Sequence, residues 1–76
     1  MVRAKFVVQN VEVREDGTGV VNMLPVYDGS AENKQFFKYT PGGSINLQIL
    51  NTEATQAFAE GKEYYVDFTL ASEEGD

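Results

Sequence analysis

Lys34-Gln35-Phe36-Phe37-Lys38-Tyr39-Thr40-Pro41-Gly42-Gly43-Ser44-Ile45-Asn46-Leu47-Gln48-Ile49-Leu50 is the stretch on which the reading of the chain turns. Residues 44–50 alternate cleanly: Ile45, Leu47 and Ile49 share one side, Asn46 and Gln48 the other, as expected for a strand with one buried and one wet face. Residues 35–39 are rich in rings and read as a further strand, with Pro41-Gly42-Gly43 turning the chain between the two. On that reading Phe36 and Lys38 face one way and Phe37 and Tyr39 the other.

Working outward, residues 4–13 also alternate, but the phase changes partway. Phe6 and Val8 occupy even positions and Val11 and Val13 odd ones, so one extra residue near Gln9-Asn10 restores a continuous inner face and predicts a β-bulge in a long first strand. Glu15-Asp16-Gly17-Thr18-Gly19 is a hairpin turn, and a second strand follows over residues 20–27. Pro25 cannot donate to a ladder, which places that end at an edge or a bulge. Asp28 to Asn33 are turn formers and read as a surface loop.

Beyond Leu50 the period changes. Asn51 or Thr52 caps a short helix carrying Glu53 in its first turn, Ala54, Ala57 and Phe58 share its inner face, and Gly61 stops it. Residues 62–70 alternate again, with Tyr64, Val66, Phe68 and Leu70 inward and Tyr65, Asp67 and Thr69 outward. The expected fold is mainly β (α+β): a small twisted five-stranded antiparallel sheet or half-barrel with one short helix before the last strand. Residues 1–71 form one β-rich domain and residues 72–76 an acidic disordered tail. The oligonucleotide/oligosaccharide-binding barrel is one template, although its helix sits between the third and fourth strands.

At 76 residues there is room for a single core of marginal size, and completion by a homo-oligomer interface is expected. The chain has no cysteine or histidine, which removes disulfides, thiolates and the commonest base and metal ligand. No metal or cofactor is expected. No apolar run is long enough for a signal peptide or a membrane span. The net charge is −6, and without Glu73, Glu74 and Asp76 it is still −3 (−6 plus 3), so duplex DNA is a poor partner.

No catalytic site is expected. Ser30, Ser44 and Ser72 have no activating partner in sequence, and Asp28-Gly29-Ser30 lacks the spacing of a Ca²⁺ loop. Glu12, Glu15, Asp16, Asp28 and Glu32 read as solvated turn and loop charges. The candidate binding surface is Lys34, Phe36, Phe37, Lys38, Tyr39, Thr40, Gly42, Gly43 and Ser44: rings on which a base can stack, lysines for phosphate, and hydroxyl or backbone N–H donors for an anion. The plainer account is that Phe36 and Phe37 fill a core and a subunit interface while Lys34 and Lys38 keep an edge strand soluble. Tyr65 and Asp67 read as an exposed strand face suited to an interface.

Arg3-Ala4-Lys5-Phe6, Pro25-Val26-Tyr27, Phe37-Lys38-Tyr39-Thr40-Pro41, Ile45-Asn46-Leu47 and Gly61-Lys62-Glu63-Tyr64-Tyr65-Val66-Asp67-Phe68 occur in an order that resembles small uncharacterised proteins of tailed bacteriophages. The resemblance spans nearly the whole chain and implies expression in the cytoplasm of an infected bacterium. It raises the expectation of an accessory role without catalysis: evasion of host defence by binding a nucleotide-like anion or a host or phage protein. The alternatives are genome handling by single-stranded DNA binding on a half-barrel, opposed by the charge, and a virion or assembly component.

Overall fold

The first strand, β1 (Val2–Val13), alternates as its residues dictate: Ala4, Phe6 and Val8 are buried on one face. The computed structural model describes residues 2–72. Register against the next strand slips between Val8 and Asn10, so the bulge falls where the phase change predicts it, and Val11 then returns to pack against the core. Polar groups around the bulge are satisfied from elsewhere in the chain. Glu60 Oε2 accepts the Val11 N–H at 2.9 Å, the Val8 N–H bonds Lys62 O at 3.0 Å, and the Gly61 N–H bonds Val8 O at 2.9 Å. Gly61 does this at φ +82, a conformation that strains any residue with a Cβ.

The hairpin is closed by Asp16, whose Oδ1 accepts the Thr18 N–H at 2.9 Å, and by Arg14 N–H to Thr18 O at 2.8 Å. It leads into β2 (Gly19–Pro25), which buries Val20, Val21 and Met23. This strand ends at Pro25, two residues short of expectation, and the Val26 N–H bonds Lys5 O instead.

The expected third strand is a helix. α1 (Ala31–Tyr39) begins at Ser30, whose Oγ accepts the Asn33 N–H at 3.0 Å; Glu32 lies in its first turn and Lys38 in its last, charges that complement the helix dipole. The Thr40 N–H still bonds Phe36 O at 2.9 Å, and Pro41 prevents continuation. These end signals outweigh the β propensity of Phe36-Phe37-Lys38-Tyr39. The sheet therefore has four strands, not five.

β3 (Ile45–Ile49) pairs with β2. α2 (Thr52–Thr55) is a single helical turn, with Asn51 Oδ1 accepting the Glu53 and Ala54 N–H groups at 2.8 and 3.3 Å; turns carry the chain on to Gly61. β4 (Glu63–Phe68) completes the sheet beside β1. All pairings are antiparallel, in the order β3-β2-β1-β4. The result is a mainly-β, curled half-barrel with short helices. Its inner face gathers Ala4, Phe6, Val8, Val21 and Met23, with Ile45, Ile49, Phe58, Tyr64 and Val66 packed around them. Phe58 rests 5.4 Å from the Tyr64 ring, and the Tyr64 hydroxyl donates to Ala57 O at 3.0 Å, tying the loop to the sheet. α1 lies on the opposite face.

Of the expected tail, residues beyond Ser72 lie outside the described residues. Among the described residues no helix is long and apolar enough to cross a membrane.

Candidate binding surface on helix α1

A helix brings together residues three and four apart, and in α1 this sorts the sequence differently from a strand. Glu32, Asn33 and Phe36 turn to the sheet. Lys34, Phe37 and Lys38 form a stripe on the outer side.

The inner contacts are specific. The Phe36 ring is 6.1 Å from that of Tyr65, and Glu32 Oε2 accepts the Tyr65 hydroxyl at 2.6 Å and the Lys5 ammonium at 2.8 Å. Lys5 also reaches Glu63 Oε1 at 3.3 Å. Asn33, almost fully buried, donates from Nδ2 to Asp28 O and Glu63 Oε2, both at 2.8 Å, while its Oδ1 finds no partner among the described residues. Arg3 clamps Asp67 through two bonds, 2.6 and 3.0 Å long, and its guanidinium lies 4.8 Å from the Tyr65 ring centroid. Hydrogen bonds to Lys5 and Tyr65 lower the Glu32 pKa, and that to Arg3 lowers the Asp67 pKa. The bond to Glu32 raises the Tyr65 pKa, since the neutral phenol is the form that donates.

The outer side is open. Phe37 is 42% and Tyr39 79% exposed, and among the described residues neither Lys34 nor Lys38 makes an ion pair, whereas Arg3 and Lys5 do. Thr40 is half-buried; Gly42, Gly43 and Ser44 are exposed in the loop to β3. A Cβ placed on either glycine would meet nothing within 4 Å, so this loop stands clear of the body. Tyr65 and Asp67, read from sequence as an outward face, do point away from the core, and both are engaged by Arg3 or by α1.

Two concavities stand out among the described residues. One, about 440 Å³, lies beside the start of α1 between Val7, Gln9, Val26, Tyr27, Asp28 and Glu63. The other, about 520 Å³, is the hollow of the half-barrel, with Met23, Leu47, Phe58, Val66 and Phe68 among its lining. No residue of 34–44 lines either. Sequence reasoning missed the Arg3, Lys5, Glu32 and Glu63 cluster, although its signal was present: Arg3 and Lys5 alternate out of phase with Ala4 and Phe6, as Tyr65 and Asp67 do with Tyr64 and Val66. In antiparallel register Arg3 meets Asp67 and Lys5 meets Tyr65.

Among the described residues no group of three or more acidic side chains is placed to hold a metal ion. The surface offers charge, rings and a rigid backbone. Comparison with protein-family models, curated proteins and solved structures found no match for the chain.

Proposed function

We propose that the protein is a non-enzymatic accessory binding module of the tailed-bacteriophage type, which evades host defence by holding an acidic segment of a host protein on the outer stripe of α1. The observation that carries this reading is the pair of unneutralised lysines, Lys34 and Lys38, flanking the exposed ring of Phe37 in a chain of net charge −6. Arg14 and Lys62 also make no ion pair among the described residues, but Lys34 and Lys38 stand one helical turn apart beside a ring, and in such a chain a paired cationic stripe is a place where an anion meets less repulsion. The inner contacts of Glu32, Asn33 and Phe36 hold the helix in place, so little ordering accompanies binding.

A protein segment fits better than a free nucleotide. Small-molecule sites are concave and bury about 70–90% of the ligand, whereas the stripe is convex and belongs to neither hollow. A short acidic segment also fits better than single-stranded nucleic acid. Charges separated by more than a Debye length, about 10 Å at 0.1 M salt, are largely screened, so a short segment meets the local stripe alone. A long strand tracks onto the acidic remainder of the surface.

Fluorescence polarisation with a labelled oligoglutamate peptide, labelled oligo-dT, and labelled cyclic and linear nucleotides, at low and moderate salt, tests this. The peptide is expected to bind at low salt, to weaken as salt rises, and to be lost in Lys34→Ala/Lys38→Ala and weakened in Phe37→Ala. Absence of peptide binding at low salt overturns the reading. Binding of oligo-dT or a nucleotide through the same lysines replaces it with the nucleic-acid or nucleotide alternative.

A further inference from the structure

We infer that the open edge of β4 takes up an extended peptide segment, which adds a strand to the sheet and lays alternate apolar side chains in the hollow of the half-barrel. Among the described residues β4 pairs with β1 alone. In an antiparallel ladder, residues alternate between exchanging bonds with the neighbouring strand and turning their backbone groups the other way. The Lys5 C=O accepts the Val26 N–H, on the side away from β4, so Tyr65, which stands opposite Lys5, exchanges no backbone bond with it. The Tyr65 N–H and C=O therefore face the open edge, and those of Asp67, two residues on, do the same. No backbone bond outside the sheet engages either residue among the described residues.

The hollow reaches that edge. Residues 64–68 of β4 all line it, whereas β3 contributes only the inward-facing Ile45 and Leu47. The Tyr65 hydroxyl and the Asp67 carboxylate are held on the outer face by Glu32 and Arg3, so what these two residues bring to the hollow is backbone. An apolar recess over Met23 and Val66 thus lies beside two sets of backbone donors and acceptors about 7 Å apart, twice the rise of a strand. This is the chemistry of strand addition, in which main-chain bonds supply affinity and a recess selects alternate side chains. Residues of the incoming strand that stand opposite Tyr64, Val66 and Phe68 share their face and enter the hollow.

Size and charge select the occupant. Nine residues line the hollow, against about 20–30 on each side of a standard protein interface, so it suits a short segment and not a folded domain or a second copy. A small apolar molecule would fill the volume and leave both sets of backbone groups to water. The cations on the neighbouring strand, Arg3 and Lys5, are already engaged by Asp67, Glu32 and Glu63, and the chain carries −6. The segment is therefore neutral or basic, unlike the acidic one read for α1.

Amide hydrogen exchange followed by NMR on the full chain is the test, with a peptide of alternating valine and threonine that carries lysine at both ends. In the free chain the Tyr65 and Asp67 amides are expected to exchange readily, while that of Val66, turned to β1, is protected. Adding the peptide is expected to slow exchange at Tyr65 and Asp67 and to leave Val66 unchanged. The same peptide with its backbone nitrogens methylated is expected to lose binding. So is Phe68→Glu, a site 58% exposed at the mouth of the hollow, with circular dichroism confirming the fold. Lys34→Ala/Lys38→Ala is expected to bind the peptide unchanged, so failure here is distinguishable from failure of the α1 reading. Absence of binding, binding that leaves exchange at Tyr65 and Asp67 unaltered, or undiminished binding by the methylated peptide or by Phe68→Glu overturns the proposal. So does protection of those two amides that rises with protein concentration in the absence of peptide, which gives the edge to a second copy.

Discussion

Glu32 Oε2 accepts two hydrogen bonds from the face of the sheet on which α1 packs, from the Tyr65 hydroxyl at 2.6 Å and from Lys5 at 2.8 Å. One carboxylate therefore joins α1 to both β4 and β1. The attachment responds to pH in a defined direction. Glu32 and Asp67 titrate lower in the folded chain than unfolded, first because of their bonds to Lys5 and Arg3. Their contribution is present above the ordinary carboxylate range, about pH 4, and is lost as pH falls through the lowered folded values. Tyr65, Lys5 and Arg3 are raised. Their contribution is present below their ordinary values and is lost as pH rises through the raised ones. NMR shifts of the Phe36 and Tyr65 rings are expected to be constant at neutral pH and to move together at both extremes. In Glu32→Gln the acid transition shrinks.

Asn33 is buried at 1% exposure while bridging Asp28 O and Glu63. Asn33→Ala leaves Asp28 O without its donor and is expected to destabilise by about 1–3 kcal/mol. Asn33→Asp sets a second carboxylate against Glu63 and removes the donor as well, so it is expected to cost more. Urea denaturation of the variants gives the order.

Gly19 opens β2 directly beneath α2. A Cβ there would sit 2.9 Å from Thr55 Cβ and closer still to the rest of that side chain, which is itself buried. Gly19→Ala is expected to cost about 1–3 kcal/mol by overpacking. Because the clash is with one side chain, Gly19→Ala/Thr55→Ala should recover part of the loss. A double-mutant cycle on thermal unfolding measures the coupling.

Alternation carried most of the sheet. Phe6 and Val8 against Val11 located the bulge, and Ile45, Leu47 and Ile49 located β3, since in both cases one face is apolar and period two has no helical equivalent. It failed at residues 31–39. There the rings suggested a strand, while Ser30 as cap, Glu32 early, Lys38 late and Pro41 beyond the end were the signals that determined the backbone. Local propensity lost to end chemistry. The same error scrambled the candidate surface: as a strand the stretch pairs Phe36 with Lys38, and as a helix it sends Phe36 to Tyr65 and groups Phe37 with Lys34 and Lys38. The Arg3-Asp67 pair was legible only in part: alternation turns both side chains outward, but that they meet depends on strand register across the sheet, which short-range pattern does not encode. The Lys5-Glu32 pair needed α1 as well, which the strand reading of residues 35–39 hid.

β1, like β2, is hydrogen-bonded along both edges, and its two neighbours arrive very differently. β2 comes from the adjoining hairpin, whereas Val2 meets Phe68, sixty-six positions away (68 minus 2). On the ribosome, this strand can zip to β2 early but must keep its other edge bare until translation has delivered β4, and closing so long a loop is entropically slow. A circular permutant that joins the two ends by a short linker and opens at the Glu15-Asp16 turn turns that late event into a local hairpin. The same cut makes β1–β2 the distant pairing, so refolding is expected to be no faster than in the natural order, with the β1–β4 hairpin now forming first and the same final pairing.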